Sequence, residues 1–224
     1  MRNSDSLRKW GALCGLLYVV LFVVGSIFIF DGPSSGENDS PAKFAAFYGK
    51  SSNRDKINIG WLLACLGLFF LIWFVATLRE TTRKRLDSDT MLGSVVGIGG
   101  SIYIAVAMAA IGLADGIRTM SDDTYHHQVY SGIIHAANDG TYIMHVTGTA
   151  ALAALIFAFS MFILKTRELP RWLGLFGIVA GVAALVSVFF FTMVIWLAWI
   201  AATSLVLFMH TSEIDHTTAG SALT

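Results

Sequence analysis

The stretch SDDTYHHQVYSGIIHAANDGTYIMH, from Ser121 to His145, holds four of the six histidines together with Asp122, Asp123 and Asp139. Histidine and aspartate at short spacing are what metal sites and acid–base catalysis are built from. A metal needs three or four ligands converging within about 2 Å of the ion. Read as a helix from Asp122 to Asp139 with Ser121 as its N-cap, the segment sets His126 in the middle of an apolar side, among Tyr125, Val129, Ile133 and Ala136. His127 and His135 fall on the other side with Ser131, Asn138 and Asp139, but about 12 Å apart along the axis, so they cannot share an ion. Only His135 and Asp139, at i and i+4, make a two-ligand pair. A third ligand would have to be His145, beyond Gly140, or an acid between Asp31 and Asp39. No HExxH motif and no desaturase-like histidine box occurs. The expectation is no resident metal, and a solvated amphipathic helix whose histidines titrate near about pH 6.5.

His145 stands apart, because it falls about one turn inside a long apolar run that starts at Thr141. An ionisable group inside a membrane span is costly and is a functional candidate by default. The competing reading is a neutral imidazole that hydrogen-bonds a neighbouring helix, with Thr147, Thr149 and Tyr103 as partners. A bis-histidine haem would need a second ligand at the same depth, and His210 belongs at the opposite face. No cofactor is expected.

The elements that position these residues follow from composition. Of 224 residues, 55% are hydrophobic and 13% charged, and the mean hydropathy is +0.67. Soluble domains carry about 25% charged residues, so the chain falls in the membrane class. Zero net charge gives no field for nucleic acid. Cys14 and Cys65 lie in different apolar runs and read as packing residues, not a disulfide.

Spans are expected over residues 10–30, 57–78, 91–114 and 141–164, each long enough for a hydrocarbon core of about 30 Å. The last apolar block, Trp172 to Met209, is too long for one span and reads as a hairpin, 172–189 and 193–209. The fold class is therefore all-α, a polytopic membrane bundle of six transmembrane helices over residues 1–210, with a polar disordered tail at 211–224. The first span reads as retained, since its apolar region exceeds that of a signal peptide. With the N-terminus inside, inner segments carry ten Lys and Arg and outer ones five. That places both termini in the cytoplasm and the chain in the inner membrane. In the first outer segment, Ser40 as N-cap and Pro41 as first residue open a short amphipathic helix through Phe44, Phe47 and Tyr48.

Two glycine rows read as helix-packing stripes: Gly93, Gly97 and Gly100, then Gly174, Gly177 and Gly181. They can join helices within the chain or between chains. Trp196 and Trp199 read as lipid-facing bulk or as an aromatic contact for a partner. All three prolines lie outside the spans and no acidic or basic residue is buried mid-membrane, which argues against pumps and coupled carriers. Gly-x-Ser-x-Gly is absent. Three functions remain. The leading one is an accessory or scaffolding subunit that binds lipid, other membrane proteins or a second copy of itself. The next is a carrier or channel for an apolar or weakly polar solute, with Asn58, Tyr103, Thr147 and Thr149 as an outer vestibule. The last is an outer-surface enzyme using His135, Asp139 and His145.

Three motifs, SPAKFAAFYGKSSNR, LIWFVATLRETTR and ELPRWLGLFGIVAG, resemble a set of uncharacterised six-helix membrane proteins common in actinobacteria and classed as domains of unknown function. The resemblance runs from about Arg8 to His210, and the acidic, His-rich third outer segment is not part of its pattern. It implies no activity and no site residues.

Overall fold

The computed structural model describes residues 2–29, 41–85, 90–120 and 131–221. Among the described residues the chain is helical: α1 (Arg2–Ile29), α2 (Pro41–Tyr48), α3 (Ser51–Arg85), α4 (Thr90–Met120), α5 (Ser131–Thr166), α6 (Arg171–Leu185) and α7 (Met193–Ser221), with a 3-10 turn at Phe190–Thr192. Five stretches are long and apolar enough to cross a membrane: Ser6–Ile29, Ser51–Lys84, Met91–Gly116, Ala136–Thr166 and Met193–His210. Helix α6 is also apolar but has only 15 residues, about 22 Å at 1.5 Å per residue. The structure thus supports five full-length spans and one short apolar helix.

Local signals account for several boundaries. Proline is well tolerated as a first helical residue because its missing N–H would have no intrahelical partner there, and Pro41 opens α2. The corner into α3 is closed by α3's own side chains. Asn53 Nδ2 donates to Phe47 O at 2.9 Å and Arg54 donates to Tyr48 O at 2.6 Å. Burial in that corner holds the Tyr48 phenol above its usual range. Helix α5 ends at Arg167, which takes a left-handed φ of 57° while its N–H still reaches Ile163 O at 2.9 Å. Pro170 then precedes α6.

The α6–α7 turn is apolar and satisfies its own backbone. Ser187 Oγ donates to Ala183 O and Thr192 Oγ1 to Phe189 O; the amides of Val186 and Ser187 donate to Val182 O and Ala184 O at the end of α6, and those of Phe189 and Thr192 to Val186 O and Phe189 O within the turn. Val188, Phe189 and Phe191 point outward. A turn with this chemistry suits lipid, where a free backbone group has no water to bond.

One sequence expectation changes. The break at Gly140 is absent, and α5 runs unbroken from Ser131 through it. A side chain there would meet Leu113 Cδ2 at 3.0 Å, so the glycine is used for close approach to α4 and not for a turn. Helix α7 runs from Met193 to Ser221.

The chain divides into two compact units. One holds Met1–Val19, Phe69–Ile104 and Thr149–Thr224, the other Val20–Leu68 and Ala105–Gly148. We call them the first and second unit. The first carries ten basic residues against seven acidic, the second five against eight.

In the second unit, α1 and α3 cross backbone to backbone. A Cβ on Gly25 would lie 2.7 Å from Gly60 O, and one on Gly60 would lie 2.8 Å from Gly25 O. In the first unit, α5 is the inner helix. Ala151 O and Leu155 N press on Gly99 of α4, while Phe157, Ser160 and Leu164 press on Gly181, Gly177 and Gly174 of α6.

Candidate functional site

Of the residues first considered for chemistry, Ser121, His126 and His127 lie outside the described residues, as do Asp31 to Asp39. The backbone places His135 on α5, and its side chain is outside the described set. Asp139 is exposed on the same helix, one turn further on. His145 is half-buried and stacks on Phe22 of α1, ring centroids 6.4 Å apart and planes at 15°. Continuous helix through Gly140 puts Asp139 and His145 six residues apart, on different sides of α5. Among the described residues no group of three or more His, Cys, Asp or Glu converges on a metal position. Cys14 and Cys65 are both free thiols.

The vestibule set also separates. Asn58 and Thr147 are exposed, and Thr147 donates back to Ile143 O of its own helix at 2.8 Å. Tyr103 and Thr149 are fully buried in the first unit.

The buried polar groups of the first unit form a site that sequence reasoning missed. Tyr18 of α1 and Tyr103 of α4 meet hydroxyl to hydroxyl at 2.9 Å with no exposed surface. Trp196 of α7 meets the Tyr103 ring edge-on, centroids 6.1 Å apart. One turn along, Trp199 donates from Nε1 to Leu173 O of α6 at 3.2 Å and packs edge-on against Phe159 of α5. Ser204 reaches α1: its hydroxyl donates to Ala12 O and accepts from the Leu16 N–H at 2.9 Å, so it sits inside α1's own hydrogen-bond ladder. The hydroxyls of Ser160 and Thr203 are buried without a hydrogen-bond partner. Both tryptophans are fully enclosed by their own chain. This corrects the lipid-facing or partner-facing reading of Trp196 and Trp199. The signal was available: Thr203 and Ser204, the hydroxyls in the middle of α7, lie at i+4 and i+5 from Trp199. In lipid the polar side of a helix turns inward.

The glycine stripes are likewise occupied from within the chain. A Cβ on Gly93 would lie 2.8 Å from Arg83 Cγ, and one on Gly97 would lie 2.9 Å from Arg79 Cδ. Gly100 faces Val75 and Leu155. A Cβ on Gly177 would overlap Ser160 Oγ and lie 2.7 Å from Trp199 Nε1. The first unit is thus dense at its polar centre. The arrangement can tie α1 to α4 and α7, and α7 to α6, by hydrogen bonds each worth about 1 kcal/mol in a membrane, with α5 packed against them through Phe159.

A family model described as "Domain of unknown function (DUF4386)" matches residues 13–212. The chain belongs to this family. No curated protein and no solved structure matches it. The DUF4386 match begins inside α1 and ends inside α7. It therefore takes in both the tyrosine pair and the tryptophan–serine centre. The family description gives no activity, so the roles of these residues rest on their geometry alone.

Proposed function

We propose that this DUF4386 chain is a multi-pass protein of the inner membrane, with six crossings and both termini inside. It works there as a non-catalytic accessory subunit that holds lipid or another membrane protein against its outer sides. The division of basic residues supports the orientation. The ten of the first unit are the same ten that the positive-inside reading assigns to the cytoplasm. In a cysteine-free background, Ser52→Cys should label with an impermeant thiol reagent on intact cells, and Lys84→Cys should not. The reverse pattern would invert the topology.

One observation carries the accessory role. The glycines, the tyrosine pair, Trp199 and Ser204 of the first unit are engaged within the chain, while α6 presents Leu175, Val179, Val182 and Leu185 outward without a charge between them. That side has apolar area to offer and no group that does chemistry. The glycines and tryptophans no longer count toward a partner surface. Gentle-detergent purification from the native membrane should bring down a reproducible lipid or protein. A clean, lipid-free monomer would sink this reading.

A second reading has its own support. The buried Ser160 and Thr203 hydroxyls lack partners, and a polar group left that way in an apolar core calls for an explanation. A small, weakly polar solute passing through the first unit would supply one. Flux of such a solute into vesicles holding the protein, lost on Ser160→Ala, would favour a carrier.

A further inference from the structure

We propose that the edge between α3 and α4 in the first unit is a binding site for an anionic phospholipid, with Arg79 and Arg83 taking the headgroup phosphate. The proposal rests only on the chain being embedded in a bilayer, and it holds whether or not the accessory role does.

The argument begins with two glycines. Arg79 lies across the α4 backbone at Gly97, its Cδ 2.9 Å and its Nε 3.2 Å from where a Cβ would stand. Arg83 does the same at Gly93, with its Cγ at 2.8 Å. Any side chain on α4 would push these stems away. Both arginines stay exposed, so the glycines let two arginine stems lie against one helix edge, one turn apart. A guanidinium is planar and matches phosphate oxygens two at a time, which gives Arg an advantage over Lys for this ligand.

The same edge turns apolar away from the arginines. By helical spacing Ile72 and Ala76 share α3's edge with Arg79 and Arg83, and Ile98 and Ser101 lie on the adjoining edge of α4. Ile72 and Ile98 are both exposed. Two cations at a span's end, with an exposed apolar strip below them, match a headgroup above its acyl chain. The neighbourhood favours an anion. The first unit has three more basic than acidic residues, and Glu80, the acid nearest in sequence, is held by Lys84 at 2.9 Å. Basic groups at an anionic membrane surface attract it by about fivefold each.

The test is native mass spectrometry of the full chain in mild detergent, titrated with phosphatidylglycerol or phosphatidylcholine of the same acyl chains. Wild type should hold the anionic lipid about tenfold or more tightly than the zwitterionic one. Arg79→Gln with Arg83→Gln should bring the two lipids within about twofold. Gly97→Val keeps every charge but displaces the Arg79 stem, and should lose a large part of the preference. Lys165→Gln with Arg171→Gln, which removes two charges elsewhere in the first unit, should leave it intact. If the double Gln variant fails to fold, the Gly97→Val and Lys165→Gln/Arg171→Gln results decide. Equal loss in both charge-removing variants would mean diffuse attraction and overturn the site, as would a preference that survives Arg79→Gln/Arg83→Gln. Failure to co-purify a partner protein would not touch this result.

Discussion

Trp199→Ala should cost about 3 kcal/mol, toward the low end of the range for emptying a buried tryptophan site. It should show as an early unfolding midpoint in a denaturing-detergent titration. The ring has no exposed surface, fills the space between Phe159 and Gly177, and donates the bond to Leu173 O that ties α7 to α6. In lipid there is no water to squeeze out, so the loss comes from the cavity and the orphaned carbonyl. Trp199→Phe keeps most of the packing and should cost about 1 kcal/mol, the hydrogen bond alone. Trp73 is 41% exposed on α3, and Trp73→Ala should stay within about 0.5 kcal/mol. Equal effects at Trp73 and Trp199 would mean that the inward placement of Trp199 is wrong.

The second large effect is expected at the α1–α3 crossing. Gly25→Leu should cost about 3 kcal/mol, the upper part of the overpacking range. Its Cβ would lie 2.7 Å from Gly60 O and 3.0 Å from Ala64 N, and these are backbone atoms that cannot rotate aside. The helices would have to part along the crossing. Gly112→Leu is the matched control, since nothing lies within 4 Å of its Cβ position. It should be neutral within about 0.5 kcal/mol. Equal melting of the two variants in detergent would dismiss the crossing as a determinant of stability.

These two sites show where sequence reading works and where it stops. Pro41 marked the start of α2 because the chemistry of a helix N-terminus is local. The long apolar spans were legible because length and hydropathy answer to the bilayer and not to a neighbour. The continuity of α5 across Gly140 was missed because its neighbour there, Leu113, is not in view from the sequence. The direction of Trp196 and Trp199 could be read only from Thr203 and Ser204 beyond them, not from their own surroundings. α7 is apolar on every side over residues 193–202, so periodicity of hydrophobic residues has nothing to contrast. The arginine–glycine edge between α3 and α4 could not be read at all. It depends on which residues face each other across two antiparallel helices, and the sequence does not encode that pairing as a pattern. Of the candidate site, then, Tyr103, Trp196 and Trp199 stood out in the sequence, while Tyr18, Ser160, Thr203, Ser204 and the pairings among them did not.

On the proposed six-crossing topology, the short α6 and its apolar turn set a condition on the surrounding membrane. Its 15 residues reach about 22 Å, some 8 Å less than a typical hydrocarbon layer of about 30 Å. Tilting shortens the reach further, so a helix this short cannot correct the deficit by leaning. Either the lipids beside it compress, or headgroups dip toward Val188 and Phe191. Mismatch costs fractions of a kcal/mol per ångström, and the strain falls on one flank only, because α7 and the other spans are long enough. On that topology the protein is asymmetric in the thickness it demands. It should be most at ease where the bilayer is already thin, and in a uniform membrane it should carry a local dimple along its α6 side.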